Sequence, residues 1–297
     1  QAKKLTVFQR TPNYSIPSQN EPMTKKYERS WKDVYSERRK EMRYSAHGSL
    51  KDLNDVPALS VDEDQRQELY TKRWAIVGTG FLGSFNDLLT NADANYTAAE
   101  YVRQQIKRVV KDKETAEILC PRSYPIGTKR ICIDTGYFET YNRENVKLVD
   151  ISKKPIQRLV ADGIIVDDQL YAFDSIIFAT GFDAMTGSIF NVDIKGRGGL
   201  ALKEKWNAGP KTYLGLMSAS FPNLFMITGP GSPSVKSNMI MSIEQHVDLV
   251  LETLLSMRRK GLSVVEPELE AENKWVDHVQ EVANKTLFPQ ANSWYMG

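Results

Sequence analysis

Asp174-Ser-Ile-Ile-Phe-Ala-Thr-Gly-Phe-Asp-Ala-Met-Thr-Gly187 is an apolar run that passes straight into a small-residue exit, Ala179-Thr180-Gly181. A continuous apolar run bounded by glycine predicts a buried parallel strand over residues 175–179. The exit leaves no bulky side chain to keep the backbone away from a large ligand. Ligands of open α/β sheets bind beyond the carboxyl ends of such strands, so a cofactor is expected near Thr180, Gly181 and Phe182. Taken alone, the segment also fits a strand that ends in an ordinary glycine turn.

A second exit of the same kind follows. Asn223 to Thr228 reads as an apolar strand, and Gly229-Pro-Gly-Ser-Pro-Ser-Val-Lys-Ser-Asn-Met239 leads from it into an amphipathic helix beginning near Met241-Ser-Ile-Glu-Gln-His246. With Phe8-Gln-Arg-Thr-Pro12, Gly127-Thr-Lys-Arg130 and the closing Asn292-Ser-Trp-Tyr-Met-Gly297, these motifs resemble, in order, the Baeyer–Villiger monooxygenases. Those flavoproteins insert one oxygen atom beside a ketone carbonyl. The resemblance runs from Leu5 to Gly297.

The 297 residues, 41% of them hydrophobic, can bury a sizeable core as one large domain or two ordinary ones. A net charge of +2 provides no global field for nucleic acid or an anionic membrane. No apolar run approaches the roughly 18 residues of a membrane span, and the first residues do not read as a signal peptide. Two cysteines, Cys120 and Cys132, are too few for a disulfide framework, and a reducing cytoplasm is the expected compartment. His47, His246 and His278 show no metal-ligand spacing, so no metal is expected.

Lys4 to Gln9 predicts a strand that starts almost at the first residue, as if the chain were cut from something larger. From about Pro22 to Leu119 the pattern is helical. Tyr27, Trp31, Val34, Tyr35 and Met42 recur at helical spacing, as do Tyr101, Val102, Ile106 and Val109, and such residues are expected in a core. Arg130–Ile133, Val146–Val149 and a hairpin through Asp162-Gly163 and Asp167-Asp168 read as strands, and two long helices are expected near 242–260 and 268–286.

Gly78, Gly80 and Gly83 spell the G-x-G-x-x-G of a dinucleotide-binding turn. The context argues against that use. Only Trp74 to Val77 are apolar ahead of it, highly charged sequence precedes them, and no acidic residue ends a second strand about 20 positions on.

Arg10 and Thr11 follow the first strand, where an acidic residue would select NAD and a cation accommodates the 2′-phosphate of NADP. A guanidinium grips phosphate bidentately and Thr11 adds a hydroxyl, although a turn arginine ahead of Pro12 is the alternative. The resemblance implies that Arg10, Thr11 and Lys129 clamp the 2′-phosphate and that Arg130 is catalytic. It also implies the reaction: NADPH reduces FAD, oxygen adds to give a flavin C4a-peroxide, and the fixed charge of Arg130 stabilises the peroxide anion and the oxyanion formed on the ketone. No Ser/His/Asp or Cys/His arrangement is needed, because the cofactors carry the redox chemistry.

By the same resemblance Asn238 and Met239 lie by the flavin ring, and Ser234, Val235 and Lys236 border the substrate pocket. Lys236 departs from the apolar residue usual there and points either to solvent or to a polar or anionic substrate. Trp294 corresponds to a tryptophan that helps close over the nicotinamide, a packed core tryptophan being the alternative. The flavin- and nicotinamide-binding glycine fingerprints are not in the sequence.

The expected fold is therefore α/β, a two-dinucleotide-binding-domain flavoprotein with Rossmann-like NADP and FAD domains and its N-terminal part missing. Residues 1–182 would be the remainder of the NADP-binding domain, with a helical insertion over about 17–125, and 183–297 the C-terminal part of the FAD-binding domain. The expected function is conversion of a ketone and O2 to an ester or lactone with NADPH and FAD, in concert with the missing FAD-binding part of the same protein. The 297 residues by themselves are expected to be inactive. Oxygenation of nitrogen or sulfur, and a non-catalytic dinucleotide-binding or interaction module, are the rival readings.

Overall fold

In a computed structural model, the structure describes residues 2–45, 47–50, 53–76, 79–232, 237–293 and 295. The chain separates into two units, 1–21 with 53–181 and 22–52 with 182–297.

The first unit is built on two parallel strand pairs. β1 (Leu5–Gln9) lies in register with β4 (Val146–Asp150), Leu5 opposite Val146 and Gln9 opposite Asp150. β2 (Ser15–Pro17) pairs with β3 (Cys132–Asp134). A meander of β5 (Ile156–Val160), β6 (Gly163–Val166) and β7 (Gln169–Ala172) follows, and the Phe8 ring meets Tyr171 edge-on at 5.3 Å.

Between β2 and β3 run the helices of this unit, each started by a side chain that satisfies free N–H groups of its first turn. Asp62 caps α3 (Glu63–Trp74), Asn91 caps α4 (Ala92–Val109) and Asp112 caps α5 (Lys113–Leu119). A short α6 (Tyr137–Thr140) follows β3. Ala94, Ala98, Tyr101, Val102 and Ile106 form the buried stripe of α4. Full burial of its Val and Ile contributes roughly 1.5–3 kcal/mol each. Tyr70, Phe81, Phe85 and Tyr101 form an aromatic cluster with centroid spacings of 5.4–5.8 Å.

The second unit holds α1 (Lys25–Lys32), α2 (Tyr35–Tyr44), α7 (Gly187–Phe190), α8 (Leu202–Lys205), α9 (Met239–Lys260) and α10 (Leu269–Asn284). Leu202, Trp206, Phe221 and Met226 form its core.

Three expectations are corrected. Residues 175–179 form no strand, and the run is open to solvent, Ile177 at 89% and Phe178 at 64% exposure. A strand exists only through pairing, and among the described residues no strand pairs with this run. Asn223 to Thr228 likewise forms no strand. Its backbone instead bonds singly to several loops, Asn223 N–H to Val265 C=O at 2.8 Å and Met226 N–H to Leu216 C=O at 2.7 Å, and the positive φ of Asn223 and Thr228 breaks the extended conformation at both ends.

The third correction concerns Tyr27, Trp31, Val34 and Tyr35, which are exposed rather than core. Helical spacing gathers apolar residues on one face but does not supply what covers it. The Trp31 ring carries the Arg38 guanidinium at 3.9 Å, while α2 is tied to α9 by charge, Arg43 to Asp248 at 2.7 Å and Arg39 to Glu244.

Candidate functional site

The turn 125–128 of the first unit is fixed from beneath. Asn95, on the buried face of α4, donates from Nδ2 to the carbonyls of Leu88 at 2.7 Å and Ile126 at 2.8 Å, and its Oδ1 accepts from Ile126 N–H at 3.0 Å. Thr128 closes the turn onto the Pro125 carbonyl at 2.6 Å. Gly127 has φ +86°, a conformation that favours glycine, and a Cβ there would stand 2.8 Å from the terminal methyls of Leu82 and Leu89, which would have to move aside. Lys129 and Arg130 emerge from this anchored turn.

Arg10 and Thr11 leave the end of β1 and lie exposed. The strand end is held by Gln9, whose amide donates to the Ile118 carbonyl at 3.1 Å. The two cationic segments are joined by Asn13 and Tyr124. The Tyr124 hydroxyl lies 2.6 Å from Asn13 Oδ1 and 3.1 Å from the Pro12 carbonyl. Asn13 Nδ2 in turn donates to the Arg130 carbonyl and to Cys132 Sγ, both at 3.1 Å. The Lys129 ammonium stands 4.7 Å from the centre of the Tyr124 ring. Burial pushes the Tyr124 phenol well above its ordinary range, so its hydroxyl stays a donor.

Among the described residues none of Arg10, Lys129 and Arg130 is paired with a carboxylate, whereas the neighbouring Arg122 is paired with Glu117. Free cations on two mutually bonded loops are a donor set for an anion, and two of them on adjacent residues can serve different partners.

Of the other expected residues, Thr180 and Gly181 end the first unit and Phe182 begins the second. Gly181 has φ +94° with nothing within 4 Å of a Cβ position, and Phe182 is 98% exposed. The backbone there is open to a large ligand. Asn238 caps α9, its Oδ1 accepting from Ile240 N–H at 3.1 Å, and Met239 is exposed at the helix start. Ser234, Val235, Lys236 and Trp294 lie outside the described residues, as does Gly78. Helix α3 occupies the positions up to Trp74 and a 3-10 turn spans Thr79–Ser84, so the strand that a dinucleotide-binding turn needs is not what precedes these glycines.

His246 is a packing histidine whose Nδ1 accepts from Thr228 N–H at 3.0 Å, and His278 packs on Trp275. Among the described residues there is no group of three His, Cys, Asp or Glu that could hold a metal, and no helix long and apolar enough to cross a membrane.

Sequence reasoning missed Asn13, Tyr124 and Asn95. Asn95 had a legible signal, a carboxamide on the apolar stripe of a helix. Asn13 and Tyr124 had none, because the hydrogen bonds with which they join the loops link residues more than 110 positions apart.

No protein-family model matches the chain. It is 38% identical over 99% of its length to 2-oxo-Δ3-4,5,5-trimethylcyclopentenylacetyl-CoA monooxygenase of Pseudomonas putida. Over its full length it is 37% identical to a Baeyer–Villiger monooxygenase of Pseudooceanicola batsensis and 36% identical to a phenazine N-monooxygenase of Lysobacter antibioticus. In each case it covers 54% of the relative, so the chain spans about half the length of the curated relatives it matches. Among solved structures, oxidized steroid monooxygenase bound to NADP matches with TM-score 0.93 and 45% identity over 100% of this chain and 57% of its own. OTEMO in complex with FAD and NADP matches with TM-score 0.95 and 37% identity over 99% of this chain and 55% of its own. The chain therefore shares the mixed α/β fold of the corresponding part of these proteins.

Proposed function

We propose that this chain, whose sequence and fold align from end to end with Baeyer–Villiger monooxygenases, is part of an NADPH- and FAD-dependent enzyme that inserts one oxygen atom of O2 beside a ketone carbonyl. The observation that carries the proposal is the hydrogen-bonded junction of two loops, one bearing Arg10 and Thr11 and the other Lys129 and Arg130, with none of these cations paired with a carboxylate among the described residues.

These residues suit a phosphate. Arg10 offers a planar fork of donors, Thr11 a hydroxyl and Lys129 a mobile point charge, the combination that distinguishes a 2′-phosphate from a free ribose hydroxyl. Arg130, whose charge is permanent, is assigned to the negative charge that develops on the substrate oxygen. In the first unit the end at Thr180 and Gly181, and in the second unit Phe182, Asn238 and Met239, are assigned to cofactor contacts. When bound, the flavin reduced by NADPH supplies the activated oxygen, while the protein supplies orientation and fixed charge. Residues 1–182, apart from the stretch 22–52 that clusters with the second unit, are assigned to the NADP-binding part and 183–297 to the FAD-binding part.

The test is NADPH consumption and product analysis with the flavin-loaded full-length protein. Ketone-stimulated oxidation with ester or lactone formation is expected, and a full-length protein that cannot be loaded with FAD would overturn the reading. The similarity to a phenazine N-monooxygenase favours a second reading, oxygenation of a ring nitrogen. It is distinguished by an N-oxide product in place of the ester and by activity that survives Arg130→Ala.

A further inference from the structure

We infer that Tyr124 is a positioning residue that sets the preference for a 2′-phosphorylated dinucleotide, by ordering Lys129 and the Arg10–Thr11 loop before the nucleotide arrives. The inference rests on the nucleotide reading above and adds a residue to it. One side chain touches both arms of the donor set: its ring lies under the Lys129 ammonium at 4.7 Å, and its hydroxyl reaches the Pro12 carbonyl at 3.1 Å and Asn13 Oδ1 at 2.6 Å.

A lysine ammonium on a four-carbon stem loses its rotamer freedom when it grips a phosphate. Attraction to an aromatic face removes part of that freedom in advance. The loop after β1 needs the same treatment, because Arg10 and Thr11 are exposed between the anchored strand end at Gln9 and the bonded Pro12 and Asn13. Tyr124 is itself fixed. It is buried, its ring meets Tyr14 edge-on at 5.5 Å, and the following Pro125 restricts its backbone. Its hydroxyl proton serves one of its two acceptors at a time, and either keeps the loop against the turn. Because both arms address the 2′-phosphate, Tyr124 affects NADP(H) and leaves recognition of the rest of the dinucleotide unchanged.

The experiment measures dissociation constants of NADP+ and NAD+ for the flavin-loaded full-length protein and its Tyr124→Phe, Tyr124→Leu, Lys129→Ala and Arg10→Ala variants. Tyr124→Phe keeps the ring and is expected to lower the NADP+ over NAD+ affinity ratio about threefold, the effect of one lost neutral hydrogen bond. Tyr124→Leu, which also loses the aromatic face, is expected to lower it roughly tenfold or more, with NAD+ affinity within about twofold of the parent. In the Lys129→Ala background the Tyr124→Leu effect should shrink. Equal weakening of both nucleotides, or an unchanged ratio, would overturn the inference while leaving the site intact. If Lys129→Ala and Arg10→Ala also leave the ratio unchanged, the nucleotide reading itself falls. Should Tyr124→Leu not load flavin, Tyr124→Phe decides by the same ratio.

Discussion

The Lys205 ammonium meets the Glu272 carboxylate at 2.8 Å inside the second unit, with Glu272 fully buried and Lys205 nearly so. The carboxylate also accepts from the Ser218 hydroxyl at 2.9 Å and from Ala219 N–H at 3.0 Å, so α10 is tied to α8 and to the loop after it. Removing one partner of such a pair strands a buried charge, which costs more than the pair contributes. Lys205→Met is expected to destabilise by about 3–5 kcal/mol. The double variant Lys205→Met/Glu272→Leu should recover part of that loss. Urea unfolding of the four-member cycle measures it, and strictly additive losses would show that the two residues are not coupled.

The anchored turn beneath Lys129 makes stability and nucleotide affinity respond together. Asn95→Ala removes three hydrogen bonds and leaves buried backbone groups of Leu88 and Ile126 unpaired, for an expected cost of about 2–4 kcal/mol. Gly127→Ala should also weaken NADP+ binding, since a Cβ strains the left-handed backbone of the turn at φ +86° and crowds the Leu82 and Leu89 methyls. Thermal unfolding and NADP+ titration check both, and a stable Gly127→Ala protein with parental affinity would contradict the role of this turn.

Burial holds the His246 imidazole below the ordinary value of 6.5. Protonation at Nδ1 would set a donor against Thr228 N–H. Because the folded state binds the proton less readily than the unfolded one, the stability from this group is present above pH 6.5 and declines as pH falls through the lowered folded value. The expected slope in that window is at most about 1.4 kcal/mol per pH unit. His246→Asn should flatten the stability profile between neutral and mildly acidic pH, and an identical profile in the variant would rule the histidine out as its source.

Arg10 and Arg130 should fail in different ways. Arg10→Ala is expected to weaken NADP+ binding by roughly ten- to a hundredfold, the range of a charge-assisted hydrogen bond, with little change in turnover at saturating NADPH. Arg130→Ala should retain most NADP+ affinity while losing ester formation. The separation of KM from kcat in steady-state kinetics checks this, and matching profiles would mean that the two cations share one task.

Local chemistry alone made several elements legible. The strand β1, the long helices α9 and α10 and the hairpin turns at Asp162-Gly163 and Asp167-Asp168 follow from side chains that act within a few residues. The cations Arg10, Lys129 and Arg130 and the hydroxyl of Thr11 are visible in short segments, but their assignment to a phosphate and to the substrate oxygen comes from the family resemblance. Residues 175–179 and 223–228 were misread for the opposite reason: an apolar run states a preference for burial, but a strand needs a partner at matching register. Tyr27 and Trp31 were misread because helical periodicity defines a face and is silent about its cover.

The sequence by itself determined where cations stand beside a strand end and a turn and which segments would be helical, because side-chain charge and periodicity act locally. Only the tertiary structure decided that residues 22–52 group with 182–297, that Asn95 supports the turn bearing Lys129, and that Asn13 and Tyr124 join two loops far apart in the chain. Those outcomes depend on closing long loops against conformational entropy, and the contacts that offset that cost exist only once the chain has folded.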